Sequence, residues 1–319
     1  MNIPTPDRAA RTGSALETTA IPNADSTFNA NPEPNAKAEP DANPDAVPDQ
    51  ASGPTETSDT AETSSAAEVS SQSEANRRQA SGAPVVAITG ASGSLGMALL
   101  RRWHERGAVL IALSHRHQPL ALHDQQGRLI PVQQVIWQVG AEAELAPLLA
   151  GVDVLILNHG FNAHGARDAE AVRTSLEINA LSAWRLLELY AELARRRPVA
   201  AGRRPELWLN TSEAEIQPAV SPLYEISKRL IGQLFSLRAL DLASALRLRR
   251  LVLGPFRSAL NPIGLMPADW VATQILRQAW DWNLGLVIVT PNPLTYVLMP
   301  LTTLGRWLYY RLTSRAGTG

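Results

Sequence analysis

The stretch "VVAITGASGSLGMALLRR", residues 85–102, decides how the chain folds. It opens as a short apolar, β-branched run, turns on glycine, and continues with helical spacing. "PVVAIT" (84–89) reads as a buried strand. "SLGMALLRRWHER" (94–106) puts Leu95, Ala98, Leu99 and Trp103 on one helical face, and Gly107 closes the helix. Between them Gly90, Gly93 and Gly96 follow Thr89 in the pattern TGxxGxxG, with Ser92, Ser94 and Leu95 filling the turn. Such a turn needs glycine for a tight bend, for close approach of a pyrophosphate and for helix–strand packing. The N–H groups at the start of the helix then face the anion.

Working outward, six more strand-like runs follow: "AVLIAL" (108–113), "VQQVIWQV" (132–139), "VDVLIL" (152–157), "PELWLN" (205–210), "LRLRRLVL" (246–253) and "GLVIV" (285–289). Helical patterns separate most of them: "AEAELAPLLA" (141–150), the long run 166–197, "PLYEISKRLIGQLFSLRALDLAS" (222–244) and "PADWVATQILRQAW" (267–280). Near-continuous apolar strands alternating with helices imply a parallel sheet covered on both faces. The expected fold is α/β, a Rossmann-type doubly wound sheet of seven strands in a single domain over 83–290. Residues 114–131 carry no helical stripe; "LHDQQGRLIP" (122–131) reads as a hairpin or turn around Gly127.

Composition bounds the rest. Residues 1–82 hold thirteen acidic and five basic residues and a single aromatic, Phe28, whereas 83–319 hold seventeen acidic and twenty-four basic. The first segment lacks the apolar residues to offset ordering entropy, so a disordered acidic tail is expected, either a solvated linker or an arm lying on the basic domain. The absence of cysteine excludes disulfides and thiolate metal sites. The six histidines form no paired helical clusters, so no metal is expected. The start lacks an apolar stretch, so a secretory signal is not expected and the location reads as cytoplasmic, with a membrane surface in reach of 291–315. Basic residues are scattered apart from Arg195–Arg197 and Arg203–Arg204, which argues against nucleic acid as a partner.

The end of the second strand bears on the cofactor. An acid there would hold ribose hydroxyls, but the sequence has Ser114, His115 and Arg116. A basic residue suits a 2′-phosphate, so NADP(H) is favoured with NAD(H) as the alternative. Further on, "NTSEAEIQPAVSPLYEISK" (210–228) ends with Tyr224 and Lys228 four apart on one helical face.

Taken in order, TGASGSLG (89–96), "LNHG" (157–160), "LEINALSAW" (176–184), "LNTS" (209–212), "YEISK" (224–228) and "LGPF" (253–256) resemble the short-chain dehydrogenase/reductase family. In motif style they are similar to the dehydrogenase portion of bifunctional sterol desaturase/short-chain dehydrogenase proteins. The resemblance implies Asn179, Ser212, Tyr224 and Lys228 as the catalytic set. It implies the glycine turn, His115, Arg116, Gln138, Asn158, His159, Gly160, Gly254 and Pro255, together with Tyr224 and Lys228, as cofactor-binding. Tyr224 is then the general acid/base, its phenol shifted downward by the nearby ammonium. Lys228 holds the nicotinamide ribose, Ser212 polarises the reacting oxygen, and Asn179 bends its helix and anchors a water. The serine stands twelve residues before the tyrosine, one fewer than is common, and the longer spacing selects Thr211 instead. Glu213 and Glu225 have no role in this reading.

The function implied is NAD(P)(H)-dependent interconversion of a carbonyl and an alcohol on a small hydrophobic substrate. A non-catalytic dinucleotide-binding regulator is the alternative, and an epimerase or lyase would call for a larger substrate domain than 255–282 supplies. Trp282–Gly305 carries no charge; after the last strand Leu294, Val297, Leu298, Leu301, Leu304 and Leu308 form a stripe, with Trp307, Tyr309 and Tyr310 among arginines at its end. That helical extension is expected to cover the substrate pocket, to meet a second copy in a homo-oligomer, or to lie on a membrane. Pro300 is expected to kink it or restart it.

Overall fold

The computed structural model describes residues 82–197 and 204–315. The acidic tail other than Gly82, and Arg203 of the basic pairs, lie outside the described residues. The strands are β1 (Val85–Thr89), β2 (Val109–Ser114), β3 (Gln133–Ile136), β4 (Val154–Leu157), β5 (Glu206–Ser212), β6 (Arg247–Leu253) and β7 (Leu286–Val289). They form one sheet in the order β3-β2-β1-β4-β5-β6-β7, and every neighbouring pair is parallel. The chain reverses direction of travel between β1 and β4, so the carboxyl ends of these two strands flank a crevice where ligands bind in such sheets.

The helices are α1 (Ser94–His104), the single turn α2 (Ala146–Leu149), α3 (Ala169–Leu176), α4 (Ser182–Arg196), α5 (Pro222–Leu242), α6 (Ala268–Leu276) and α7 (Pro293–Thr313). Alternation along the strands splits the core in two. Val86 and Ile88 pack with Leu99, Trp103, Val271 and Ile275 from α1 and α6. Val85 and Ala87 pack on the other face with Leu186, Tyr190, Ile231 and Phe235 from α4 and α5.

Where the second crossover lacks a helix, a hairpin takes its place. His123 pairs with Leu129 around Gly127 at φ +76°, and Asp124 Oδ1 accepts from the N–H groups of Gln126 and Arg128. Leu122 and Ile130 from this hairpin fill the space beside α1. The run 141–150 is shorter as a helix than its pattern suggests. A 3₁₀ turn, Glu142–Leu145, leads into α2, where Pro147 sits in the first turn.

Two features differ from the sequence reading. "LRLRRLVL" is not purely apolar inside: Arg249 forms a two-pronged pair with Glu206, at 2.7 and 3.0 Å, and Arg250 reaches Glu215 at 3.1 Å on the opposite face. Buried guanidinium groups persist only with such partners. Of the two outcomes expected at Pro300, a kink or a restart, the restart does not occur: α7 runs continuously from Pro293 to Thr313. Pro300 is exposed, so water can reach the Tyr296 carbonyl that loses its helical partner. No helix among the described residues is long and apolar enough to cross a membrane.

Candidate active site

The glycine turn is shaped for close approach. Gly90 has φ +62°, and a Cβ on it would stand 2.9 Å from the main chain of His159. A Cβ on Gly96 would stand 2.4 Å from the Gly90 carbonyl oxygen. Gly93 is the N-cap of α1 without a capping side chain, and Gly93 and Ser94 are exposed, so the first-turn amides face outward. Leu95 points into the core. A side chain at Gly90 or Gly96 would collide with main chain and open the turn, and the exposed helix start at Gly93 and Ser94 fits a dinucleotide pyrophosphate.

The neighbouring strand ends are locked to the turn. The Thr89 hydroxyl accepts from the main-chain N–H groups of Asn158, at 2.9 Å, and His159, at 3.2 Å, and lies 2.8 Å from His159 Nδ1. Asn158 Nδ2 reaches the Gly90 carbonyl, and its Oδ1 accepts from Asn210 Nδ2 at 2.8 Å. Ser114 at the end of β2 touches Ser92 in the turn. His115 and Arg116 beyond it are exposed, and neither side chain has a polar partner among the described residues.

Asn179 sits within a π-helical turn, Glu177–Leu181, between α3 and α4. Its Nδ2 donates to the Phe161 carbonyl and to Ser227 Oγ, at 2.8 and 2.9 Å, while its Oδ1 accepts from the Phe161 N–H. The Ser227 hydroxyl in turn donates to the Tyr224 carbonyl. Asn179 thus joins the loop after Gly160, its own locally widened helix and the first turns of α5. In that helix Lys228 Nζ donates to the Asn210 carbonyl at 3.2 Å and lies 5.6 Å from the Tyr224 ring centre.

The geometry separates the two candidate hydroxyls. Ser212 is the hydroxyl near enough to act on the Tyr224 phenol and draw its pKa down, while its oxygen donates to the Leu253 carbonyl at 3.3 Å and accepts from the Ala214 N–H at 3.2 Å. Thr211 is turned the other way along β5 and its hydroxyl donates to the Leu251 carbonyl. Side chains of adjacent strand residues point to opposite faces, so only one of the pair can meet the tyrosine.

Burial pushes the Tyr224 phenol upward, partly offset by the nearby Ser212 hydroxyl. The expected lowering by Lys228 is not what the structure gives. The ammonium lies against the ring face and the Asn210 carbonyl, while removal of water disfavours the phenolate. Burial also lowers Lys228 to about 8, with Glu215 opposing the shift. His159 is lowered to about 4 by burial and by Lys228, so it is neutral, and its ring packs edge-on against Trp137.

Other expected residues stand apart from this group. Gln138 is exposed after β3. Gly254 is needed for packing, since a Cβ there would stand 2.3 Å from Thr290 Oγ1. The Pro255 carbonyl pins the return of the loop 255–266 by accepting from the Leu265 N–H. The glutamates without a role now have structural ones. Glu225 Oε1 accepts from the Ala219 N–H ahead of α5, and Glu213 Oε2 accepts from Thr290 and Thr295. Sequence reasoning missed Asn210, Ser227 and Glu215. The two arginines in one central strand were the available signal that buried acids had to exist.

The NAD dependent epimerase/dehydratase family model matches residues 86–204. Among solved structures, a short-chain dehydrogenase from Sphingobium yanoikuyae in complex with NADPH superposes with a TM-score of 0.60 at 19% identity, covering 74% of this chain and 99% of that one. The bulky-bulky ketone specific alcohol dehydrogenase from Comamonas testosteroni gives 0.58 at 18%, covering 74% and 96%. The chain has the Rossmann-type fold of these dehydrogenases. It is also 43% identical over 227 residues to a monoglucosyldiacylglycerol epimerase from Synechocystis sp.. The match takes in 71% of this chain and 54% of the relative, so the chain spans about half the length of the curated relative it matches.

Proposed function

We propose that this protein carries out NADP(H)-linked interconversion of a secondary alcohol and a ketone, with Tyr224 as the proton-handling group. The row of hydrogen bonds that runs from Lys228, one helical turn beyond Tyr224, through Asn210 and Asn158 to the Gly90 carbonyl carries this reading, because it sets the tyrosine and lysine beside the glycine cradle. When bound, the nicotinamide would take a hydride from the carbinol carbon or return it. The protein's residues do the rest. The turn at Gly90–Gly96 would hold the pyrophosphate, and Arg116 a 2′-phosphate. Ser212 donates to the reacting oxygen as charge develops on it. Tyr224, kept protonated by burial, delivers a proton to that oxygen in reduction and takes it back in oxidation. Lys228, held by Asn210, keeps a positive charge near the tyrosine.

For the substrate we propose a lipid-linked sugar, and for the net reaction epimerisation at one of its carbinol carbons. The 43%-identical relative is named for an epimerisation of a glucosyl diacylglycerol, which supports both points and outweighs the expectation that an epimerase calls for a larger substrate domain than 255–282. So does the apolar rim of the cleft. Val220 and Ile263 are almost fully exposed on loops tied together by Asn162, which bonds the Ser221 hydroxyl and the Leu260 carbonyl. An epimerase would consume no nucleotide, since the carbon is oxidised and reduced in one residence.

Fluorescence titration with NADPH and NADH, then incubation with monoglucosyldiacylglycerol deuterated at the ring carbinols, tests the reading. Expected is an inverted sugar that keeps its label, with no net nucleotide turnover. Label passing into free nucleotide would instead indicate a simple dehydrogenase. Failure to bind either dinucleotide, or full activity in Tyr224→Phe, sinks the proposal.

A further inference from the structure

Helix α7 is amphipathic with its faces reversed. Leu294, Val297, Leu301, Leu304, Leu308 and Leu312 recur every three or four residues, and each is more than half exposed. The face against the body is largely polar. Thr295 bonds Glu213 and Gln217, Arg306 reaches Glu215 at 2.6 Å, and the Tyr310 hydroxyl donates to Gln233. Met299 is the large apolar side chain buried from this helix. A surface helix ordinarily turns its leucines inward. Here hydrogen bonds and an ion pair hold the helix in place with the leucines turned out, along roughly 30 Å of helix.

We propose that α7 lies in the plane of an anionic lipid surface and seats the protein there. Charge decides between a membrane and a second copy of the chain. From Trp282 to the end the sequence contains no acidic residue. The outer flank of α7 offers only cations: Arg311 is exposed and stacked on Trp307 at 5.3 Å, and Arg315 follows it. Two copies packed along the leucine stripe would set these like charges beside each other or leave them unpaired, whereas helix pairs in solution flank their seam with opposite charges. Trp307 and Tyr309 are exposed beside the arginines, the residue types that settle at the headgroup level. Spanning is ruled out for this helix, but lying in the interface is not. The helix is also tied to the segment directly after Ser212, through Glu213, Glu215 and Gln217, so the seat and the candidate active site are mechanically continuous. The inference does not depend on the reaction proposed above.

Flotation of the full chain with liposomes tests it, comparing phosphatidylcholine vesicles with vesicles that also contain phosphatidylglycerol. The wild type is expected to float with the anionic vesicles at low salt and to be released as salt rises. Leu301→Glu/Leu304→Glu should abolish flotation. Arg311→Glu should weaken it by roughly fivefold or more, as expected for loss of one cation near such a surface. All three side chains point outward, so unchanged thermal midpoints and NADPH titrations establish that the variants are folded. Absence of flotation by the wild type, or equal flotation by the glutamate pair, overturns the proposal. Equal flotation with neutral vesicles overturns its anionic part. A wild-type dimer that the glutamate pair converts to monomer, without flotation, assigns the stripe to a second copy. If the wild type floats but binds no dinucleotide, the membrane seat stands and the reaction proposal falls.

Discussion

Lys228 Nζ is anchored at 3.2 Å to the main-chain carbonyl of Asn210, one strand residue before Thr211. The Asn210 side chain continues to Asn158, and Asn158 continues to the Gly90 carbonyl. One row of hydrogen bonds therefore crosses the carboxyl ends of β5, β4 and β1, from the lysine to the glycine turn. Parallel strands in fixed register bring these groups into line, although they are far apart in sequence. The row makes the nucleotide cradle and the proton-handling residues one rigid unit, so side chains in it can be tested for separate effects on binding and on turnover.

Tyr224→Phe removes only the phenol oxygen. It should lower kcat by about 10²–10⁴-fold, the usual range for loss of a general acid, with NADPH affinity nearly unchanged. Ser212→Ala should also lower turnover, by roughly 10²-fold, through loss of a donor to the reacting oxygen. Thr211→Val should leave turnover close to wild type, because adjacent strand residues face opposite sides and it is Ser212 whose hydroxyl acts on the Tyr224 phenol. Steady-state kinetics on the three variants separate the hydroxyls; a Thr211→Val defect exceeding that of Ser212→Ala would reverse their assignment.

Gly96→Ala places a methyl group 2.4 Å from the Gly90 oxygen and 2.7 Å from Ala91 Cα. Both obstacles are main chain and cannot swing away, so the turn must open. Dinucleotide binding should be lost or weakened by at least tenfold, which calorimetric titration reads directly. Gly107→Ala is a useful contrast. Nothing lies near its Cβ, yet φ is +74°, so it should cost about 1 kcal/mol of stability and leave binding intact.

The sequence made the sheet legible because each strand is an apolar run bounded by turn residues, and parallel strands buried on both faces leave that mark. The second crossover was legible for the opposite reason: no stripe, and a glycine where the hairpin turns. At Pro300 the sequence left a kink and a restart open, and α7 does not restart because a proline on a solvated face can be absorbed when water meets the freed carbonyl. Its orientation was equally hidden. A stripe of leucines does not say which face meets the body, and the polar ties of Thr295 and Arg306 join residues more than 75 positions away. For the same reason spacing left Thr211 and Ser212 open, whereas the alternation of β5 puts their side chains on opposite faces. The direction of the Tyr224 shift depends on where the ammonium sits and how much water is lost, neither of which is written in YxxxK.

Arg116 stands at the end of β2 with no polar partner among the described residues. A cation free to meet a 2′-phosphate contributes to binding of one dinucleotide and not the other. Arg116→Ala should weaken NADPH by on the order of tenfold, equivalent to about 1.4 kcal/mol, and leave NADH unchanged. Parallel titrations with the two dinucleotides measure the ratio. An equal loss for both would place Arg116 outside the selectivity-determining contacts.

His159 gives the protein an acid-sensitive core. Its ring is held between Thr89 and Trp137, its Nε2 is buried without a partner, and its pKa is about 4 against an ordinary 6.5. Above pH 6.5 the ring is neutral in folded and unfolded chains alike, so it contributes no pH dependence. Between pH 6.5 and 4 the unfolded chain takes up a proton that the folded chain does not. Stability therefore falls as pH drops through that window, with a slope approaching about 1.4 kcal/mol per pH unit, and levels off for this group below pH 4. His159→Gln cannot titrate there and should flatten that part of the curve, whatever its effect on stability at neutral pH. Urea unfolding of both proteins at pH 7.5, 5.5 and 4.5 provides the comparison. Parallel curves would mean that the imidazole is charged inside the folded protein, with Nε2 supplied by a partner such as water.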